Sequence, residues 1–482
     1  MILDLNTSKG TGSVFMLNRE RICGVFSPLN DKLNKFMRTP GYIAITAILT
    51  ALSNTLGLEP FVFTVYALIA AYVCLFGEDM LPLSPLFAFA YVTVSLENNP
   101  GKNPEGLLSA SGGGIYVVCL AVVIAVSLLY RVIRDRRNYL QKKYVLLSGM
   151  LLLTLGYMLG GIGSMDYAQN AKQSIFYSVL NGAAIIIPYV FLSGNIRWEN
   201  TRKDYLIWIG FALGCVLLWE IAWIYRTGDV IQEGIINRKQ IFTGWGMYNN
   251  IGAMLAMAIP FPFYLAAKYR KGWLGVLAGS VFLVGVLLSC SRTSIFCGCA
   301  IYFLCVLLML IYAKDWKANI FTLVFFSTAV VLIVHFFGDD IMALFSSLVD
   351  RGLDPSNRDD IYKDGLALYK KYPIFGGSFF SKEYVPWAWS TNGAFNSLIP
   401  PRWHNTYVQL LASCGLVGMA AYIIHRFQTA KLFLKKLTPE KAFIACSIIV
   451  LLATSLFDCH FFNIGPVLFY SVALTFAENV KD

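Results

Sequence analysis

Apolar and polar positions alternate along this chain in long blocks, not in the short periods of a soluble fold. A helix that crosses a bilayer needs about 20 mostly apolar residues. Windows of that kind fall at 41–57, 60–77, 80–96, 113–132, 144–162, 174–193, 205–225, 248–267, 273–290, 294–313, 319–337, 405–424, 442–458 and 462–478. The first three are short or polar, so the pattern predicts an all-α polytopic membrane helix bundle of about 12–14 transmembrane helices. Residues 1–40 read as a cytoplasmic or interfacial arm, 41–337 as transmembrane helices 1–11, 338–404 as one long loop, and 405–482 as the last three helices with a cytoplasmic tail. The arm holds no apolar core of signal-peptide length. Its stretch Val14 to Pro40 mixes Phe, Leu and Ile with Arg and Lys, as an interfacial helix does.

The loop at 338–404 breaks the short-connection plan. A structureless loop of that length is uncommon in a compact protein and is more often functional. Its segment Asp359 to Tyr372 carries Ile361, Leu366, Leu368 and Tyr369 among polar residues, which predicts a short helix. Pro373 ends it and Gly376-Gly377 turn the chain. A second polar connection, about 226–247, is shorter and basic.

Composition sharpens this picture. The chain is 57% hydrophobic and only 14% charged, with a mean hydropathy of +0.60. Lipid must therefore cover part of it. The net charge of +11 does not indicate nucleic acid, because the basic residues sit in short runs between apolar blocks. With the N-terminus inside, 26 of the 39 Lys and Arg fall on the cytoplasmic side, including the runs at 131–143 and 425–441. Seven of the other 13 lie in the long loop, which the charge rule does not govern. Both termini are thus expected in the cytoplasm. Ten of the 11 cysteines lie in or beside apolar blocks and Cys23 lies in the arm, so neither a disulfide framework nor a zinc pair is expected.

Soluble-enzyme motifs are missing: there is no Walker loop, dinucleotide glycine fingerprint, HExxH or GxSxG elbow. The candidate chemistry is polar groups at the outer membrane boundary. Arg292, in SCSRTS, sits in a connection of a few residues between two strongly apolar blocks. It reads either as an interfacial arginine snorkelling to headgroups or as a guanidinium that grips a diphosphate. His404 stands where the long loop meets the next span, with Asn405 placed to cap the helix. A lone boundary histidine is more often structural, yet a neutral imidazole is the usual base for an attacking hydroxyl. His404, Tyr407 and Leu411 share a face, and Gly415 and Gly418 permit close packing of a neighbour. Arg358, Arg402 and Arg238 add positive charge on that side, a solvated loop being the simpler reading of the last two. Glu220, Asp458 and His460 lie near outer helix ends, in functional roles or in helix-to-helix hydrogen bonds. His335 and the Trp219–Trp223 stretch fit an interfacial belt. Asp339-Asp340 lack a converging third ligand, so no metal site is expected.

Four segments together resemble the bacterial O-antigen ligase and O-antigen polymerase superfamily. LLSCSRTSIF at 287–296 is similar to its Ser-Arg motif, with Thr293 where a glycine is more typical. SNRDDIYKDGLALYKKYPIFGGS at 356–378 is similar to its loop helix, and WHNTYVQLLASCGLVG at 403–418 to its His-Asn entry followed by Gly-x-x-Gly. WGMYNNIGAMLAMAIP at 245–260 is similar to its asparagine-containing span. The resemblance covers about 245–425 and implies a GT-C-like membrane glycosyltransferase whose donor is a glycan on undecaprenyl diphosphate. It implies Arg292 and Arg358, with Arg402 and Arg238, on the diphosphate, and His404 as base with inversion at the anomeric carbon. Asn405, Tyr407 and Asn250 would support them, with neither metal nor cofactor. Implied partners are a glycan or lipid-linked acceptor, membrane lipids, and flippase and chain-length regulator proteins. Polymerase and ligase both remain open, as do the sugar and the host. From other classes, a flippase of lipid-linked oligosaccharide would show related halves and midplane polar groups, which the sequence lacks, and a scaffold would leave Arg292 and His404 dispensable.

Overall fold

In a computed structural model the described residues are 28–93, 113–165, 167–243, 245–346, 358–381, 383, 400 and 402–480. After a helical stretch at 28–37, the helices are α1 (Pro40–Leu56), α2 (Glu59–Phe76), α3 (Leu83–Phe89), α4 (Gly113–Arg134), α5 (Arg136–Gln141), α6 (Leu147–Met158), α7 (Tyr167–Asn195) and α8 (Tyr205–Thr227). A two-stranded hairpin follows, β1 (Ile231–Gln232) against β2 (Ile235–Ile236). Then come α9 (Tyr248–Ala258), α10 (Pro260–Lys268), α11 (Trp273–Leu288), α12 (Arg292–Tyr312), α13 (Trp316–Leu344), α14 (Arg358–Lys371), α15 (Thr406–Lys435), α16 (Pro439–Thr454) and α17 (Ile464–Asn479). The protein is an all-α polytopic bundle. Among the described residues, seven helices are long and apolar enough to cross a membrane, and α1, α6 and α11 are shorter apolar helices.

Burial sorts these helices into a centre and a rim. The span made by α9 and α10 is 94% buried, because α8, α11, α12 and α16 pack around it. Small residues allow this approach: a methyl group at Gly252 would stand 2.4 Å from the Ser289 hydroxyl, and one at Gly210 2.2 Å from the Phe261 ring. At the rim, α13 has none of its span buried. Asn319 ties it to the bundle by donating to the Ala266 carbonyl at 3.1 Å.

Several helix bounds differ from the hydropathy pattern, each for a local reason. The third apolar block, 80–96, holds α3, whose 7 residues rise only about 10 Å. Pro82 and Pro85 punctuate this block, and Asp79 ties its start to the backbone N–H of Arg197 and to Arg38. Residues 94–112, the end of that block and the connection after it, lie outside the described residues, as do most of the arm and 347–357 and 384–399 of the long loop. The helix expected to stop at 337 continues as α13 to Leu344, past non-helical dihedrals at Phe337.

The largest difference is at the span expected over 405–424. It runs on to Lys435 but breaks at Gly415, where φ is 61° and ψ −155°, a conformation open to glycine. The break strips the helix of its own hydrogen bonds, and the loop after α14 supplies replacements. Gly377 N donates to Ala412 O and Ser378 N to Ser413 O, while Leu416 N and Val417 N donate to the carbonyls of Pro373 and Ile374. A Cβ on Gly415 would stand 2.5 Å from the Ile374 carbonyl oxygen. Gly415 therefore shapes the chain itself, beyond the close packing expected of it, and docks α14 onto the entry of α15.

Candidate functional site

The site begins at the N-terminus of α15. Asn405 caps this helix by accepting from Tyr407 N at 2.8 Å and Val408 N at 3.1 Å, while its amide donates to the Leu456 carbonyl at 2.7 Å. The cap thus binds α15 to the turn after α16. His404, just before it, has a left-handed φ of 49°, and its carbonyl accepts from the Tyr362 hydroxyl of α14 at 3.1 Å. Positive φ is uncommon outside glycine, and such residues concentrate where function needs a fixed geometry.

His404 Nδ1 faces the Asp458 carboxylate at 3.4 Å. That is longer than a well-formed hydrogen bond, and Nδ1 is buried with no hydrogen-bond partner among the described residues. Asp458 lies beyond the end of α16, in the connection to α17. Its Oδ1 also accepts from Cys459 N at 2.7 Å, and its Oδ2 from the Asn249 amide at 3.2 Å. Burial alone would raise this carboxyl. The His404 contact and the nearby Arg402 guanidinium outweigh burial and hold it well below the ordinary carboxylate range. Next to it His460 is buried, which pushes its imidazole down and favours the neutral form, although Asp458 pulls the other way. Burial pushes Arg402 down, but Tyr177, Cys459 and Asp458 more than compensate, so it stays charged.

Arginines approach the same turn from other elements. Arg358, the first residue of α14, donates from Nη1 to the Phe457 carbonyl at 2.6 Å. Arg292 is the first residue of α12, capped by Ser291, whose hydroxyl lies 2.8 Å from that of Ser294. The Ser294 hydroxyl contacts the Asn249 carbonyl at 3.5 Å, and the Asn249 amide reaches Asp458. One polar chain therefore runs from the Ser-Arg entry of α12 to the carboxylate beside His404. Arg292 also stands at a helix N-terminus, where backbone N–H groups favour an anion. Arg238 lies 5.0 Å from the ring of Tyr248, the residue before Asn249, at the edge of a polar cavity of about 390 Å³ under the hairpin. Asn250 accepts from the Asn463 amide at 2.8 Å, which ties α9 to the start of α17.

The structure thus brings His404, Asn405, Arg358 and Arg402 around one turn, and links Arg292, Arg238 and Asn250 to it through α9. Tyr407 points elsewhere: its ring lies 5.7 Å from that of Tyr422, below the entry of α15. Glu220 is a helix-to-helix tie, accepting from Asn54 at 2.8 Å and Trp245 at 3.0 Å. Sequence reasoning missed Asn249 and Tyr362. Asn249 stands beside the chosen Asn250, and helix phase alone decides which of the two meets Asp458.

These contacts join segments that a family comparison also groups. Residues 277–423 match the O-antigen ligase family. The match supports the O-antigen ligase/polymerase superfamily and, on a bundle of membrane-spanning helices, points to an O-antigen ligase-type membrane glycosyltransferase. The ligase-family segment holds Arg292, Arg358, Arg402, His404, Asn405 and the Gly415 break. Asn249, Arg238 and Asp458 reach it from outside. No curated protein matches the chain.

Proposed function

We propose that the protein transfers a glycan from undecaprenyl diphosphate to an acceptor hydroxyl at the outer face of the cytoplasmic membrane. The observation that carries this reading is the contact between His404 Nδ1 and the Asp458 carboxylate, on a turn flanked by arginines. With Nδ1 held by the carboxylate, Nε2 is the nitrogen left to take the proton of an acceptor hydroxyl. The deprotonated oxygen attacks the anomeric carbon, and the bond to the diphosphate breaks with inversion. Arg292 and Arg358, with Arg402 and Arg238 nearby, meet the charge that grows on the leaving diphosphate. Asp458 steadies the imidazolium while that charge develops. The donor carries the driving force in its own phosphate linkage. In this reading both termini lie in the cytoplasm and α14 lies outside, following the distribution of basic residues.

The test is a purified, detergent-solubilised reaction with lipid-diphosphate-linked oligosaccharide, read on a glycan gel beside His404→Ala and Arg292→Ala. A ladder abolished by both substitutions makes the protein a polymerase. A single transfer that requires an added acceptor lipid makes it a ligase. An untouched donor, with folded wild-type protein, overturns the reading in favour of a flippase of lipid-linked oligosaccharide.

A further inference from the structure

One layer below the His404–Asp458 pair lies an arginine that the proposed reaction does not use. Arg426 falls in a stretch, 425–441, whose charges resemble those of a cytoplasmic loop. The structure puts it inside α15, beyond the Gly415 break, with its guanidinium against three rings: Phe461 at 4.1 Å, Tyr422 at 4.6 Å and Tyr470 at 5.0 Å. Its Nη1 donates to the Tyr470 hydroxyl at 2.9 Å. Nε and Nη2 are buried and have no hydrogen-bond partner among the described residues. An arginine that snorkels to headgroups keeps its nitrogens wet. This one directs its charge onto aromatic faces instead.

Those rings belong to the elements that carry the catalytic pair. Phe461 is 1% exposed and follows Asp458 by three residues in the same turn. Tyr422 packs 5.5 Å from Phe461 and 5.7 Å from Tyr407, which follows His404 by three residues on the other side of the break. Tyr470, on α17, packs 5.6 Å from Phe461 and accepts the hydrogen bond from Arg426. One guanidinium therefore links the 458–462 turn, the first half of α17 and, through Tyr422 and Tyr407, the entry of α15. An ionisable group inside a span is retained for a use, and no acid lies among the groups described against this one.

We propose that Arg426 is a positioning residue, which holds the Asp458 turn and the His404 entry in register through this ring stack. The inference rests on the assignment of His404 and Asp458 as the working pair. A lysine cannot replace the planar guanidinium between three rings, so Arg426→Lys fails as Arg426→Met does.

Two readouts test this, and one of them needs no glycosyl transfer. In protein labelled with ¹⁵N-histidine, assigned against His404→Ala, the imidazole shifts report which nitrogen of His404 carries the proton. Wild type is expected to hold the Nδ1–H form, and Arg426→Met, Arg426→Lys and Asp458→Asn to release it into a mixture. Phe461→Leu keeps an apolar side chain at the turn but removes the ring, and is expected to do the same. In the transfer assay, Arg426→Met is expected to lower kcat on the order of 10-fold with the KM for lipid donor within about twofold. In Arg426→Met/Asp458→Asn it adds little to Asp458→Asn alone. A wild-type tautomer in folded Arg426→Met and Phe461→Leu overturns the proposal, as do effects that add in the double variant. If wild type transfers no glycan, the functional reading falls, while the tautomer measurement still decides whether Arg426 positions the pair.

Discussion

At the end of the bundle where α1 and α8 start and α2, α4 and α7 stop, cations meet carboxylates. Arg38 pairs with Asp79, Arg131 with Asp135, and Arg202 and Lys268 both with Asp204. At the other end Arg358 donates to a backbone carbonyl, Arg238 rests against a tyrosine ring, and the carboxylate Asp458 is engaged by a histidine. Both ends use similar residues. The difference lies in what the cations face. Paired charges at the first end neutralise one another and fix helix ends to each other. At the second, a backbone carbonyl holds Arg358 and a tyrosine ring holds Arg238, while the carboxylate Asp458 is shared between Arg402 and His404. An anion arriving there meets positive charge that is already in place, the condition for stabilising a leaving diphosphate without reorganisation.

Substitutions at the two ends should separate chemistry from anchoring. The largest expected effect is at His404, where His404→Ala removes the proposed base and lowers the transfer rate by about 10²- to 10⁴-fold. Retention of the wild-type elution profile in detergent would confirm that the loss is chemical. A variant within about threefold of wild type would remove His404 from the mechanism. Arg292→Ala follows, with a loss of about 10²-fold, and Arg292→Lys should recover only part of it because lysine cannot make the paired contact. Asp458→Asn comes third, at about 10-fold or more in kcat. The asparagine keeps the shape of the turn, so thermal unfolding should move little while the rate falls.

Gly415→Ala tests the connection between the chemistry and the fold. An alanine there must adopt φ of 61° with its Cβ 2.5 Å from a backbone oxygen. The strain alone costs about 1–3 kcal/mol, and the clash moves the loop that docks α14. A lower melting temperature, and a transfer rate below wild type even well under that temperature, are the expected outcomes. Wild-type behaviour would mean that the break is not needed to place Arg358 and Tyr362.

How much of this was legible beforehand follows from what each feature depends on. Span positions are a property of hydropathy, so most helices appear in the sequence within a few residues. The third block does not become a spanning helix because its prolines and the Asp79 tie are local features that a hydropathy window averages away. Arg292, Arg358 and His404 stand out because each is a polar group at the edge of an apolar block. Asp458 was visible only as a boundary acid, since its partner is 54 positions away, and long-range pairing leaves no periodic trace. Arg426 was hidden more thoroughly. Its neighbours in sequence are basic, and only the break at Gly415, which turns α15 back beneath its own entry, places it under Phe461.

The smallest effect on activity is expected at the opposite end, where Asp204 gives the cleanest contrast. Burial would raise this carboxyl, but the hydrogen bonds from Arg202 and Tyr269 and the charge of Lys268 bring it down to about 2. From an ordinary aspartate value of 3.8, that shift corresponds to roughly 2 kcal/mol of stability. Because the folded value is depressed, the contribution is complete above about pH 4 and disappears as the pH falls through about 2. Asp204→Asn should therefore lower the melting temperature at pH 7 and flatten the loss of stability between those two pH values, while leaving the transfer rate at pH 7 within about twofold of wild type. A large drop in transfer without a matching drop in stability would show that the two ends are coupled. The ion pairs would then set the geometry of the distant site as well as anchor the helices.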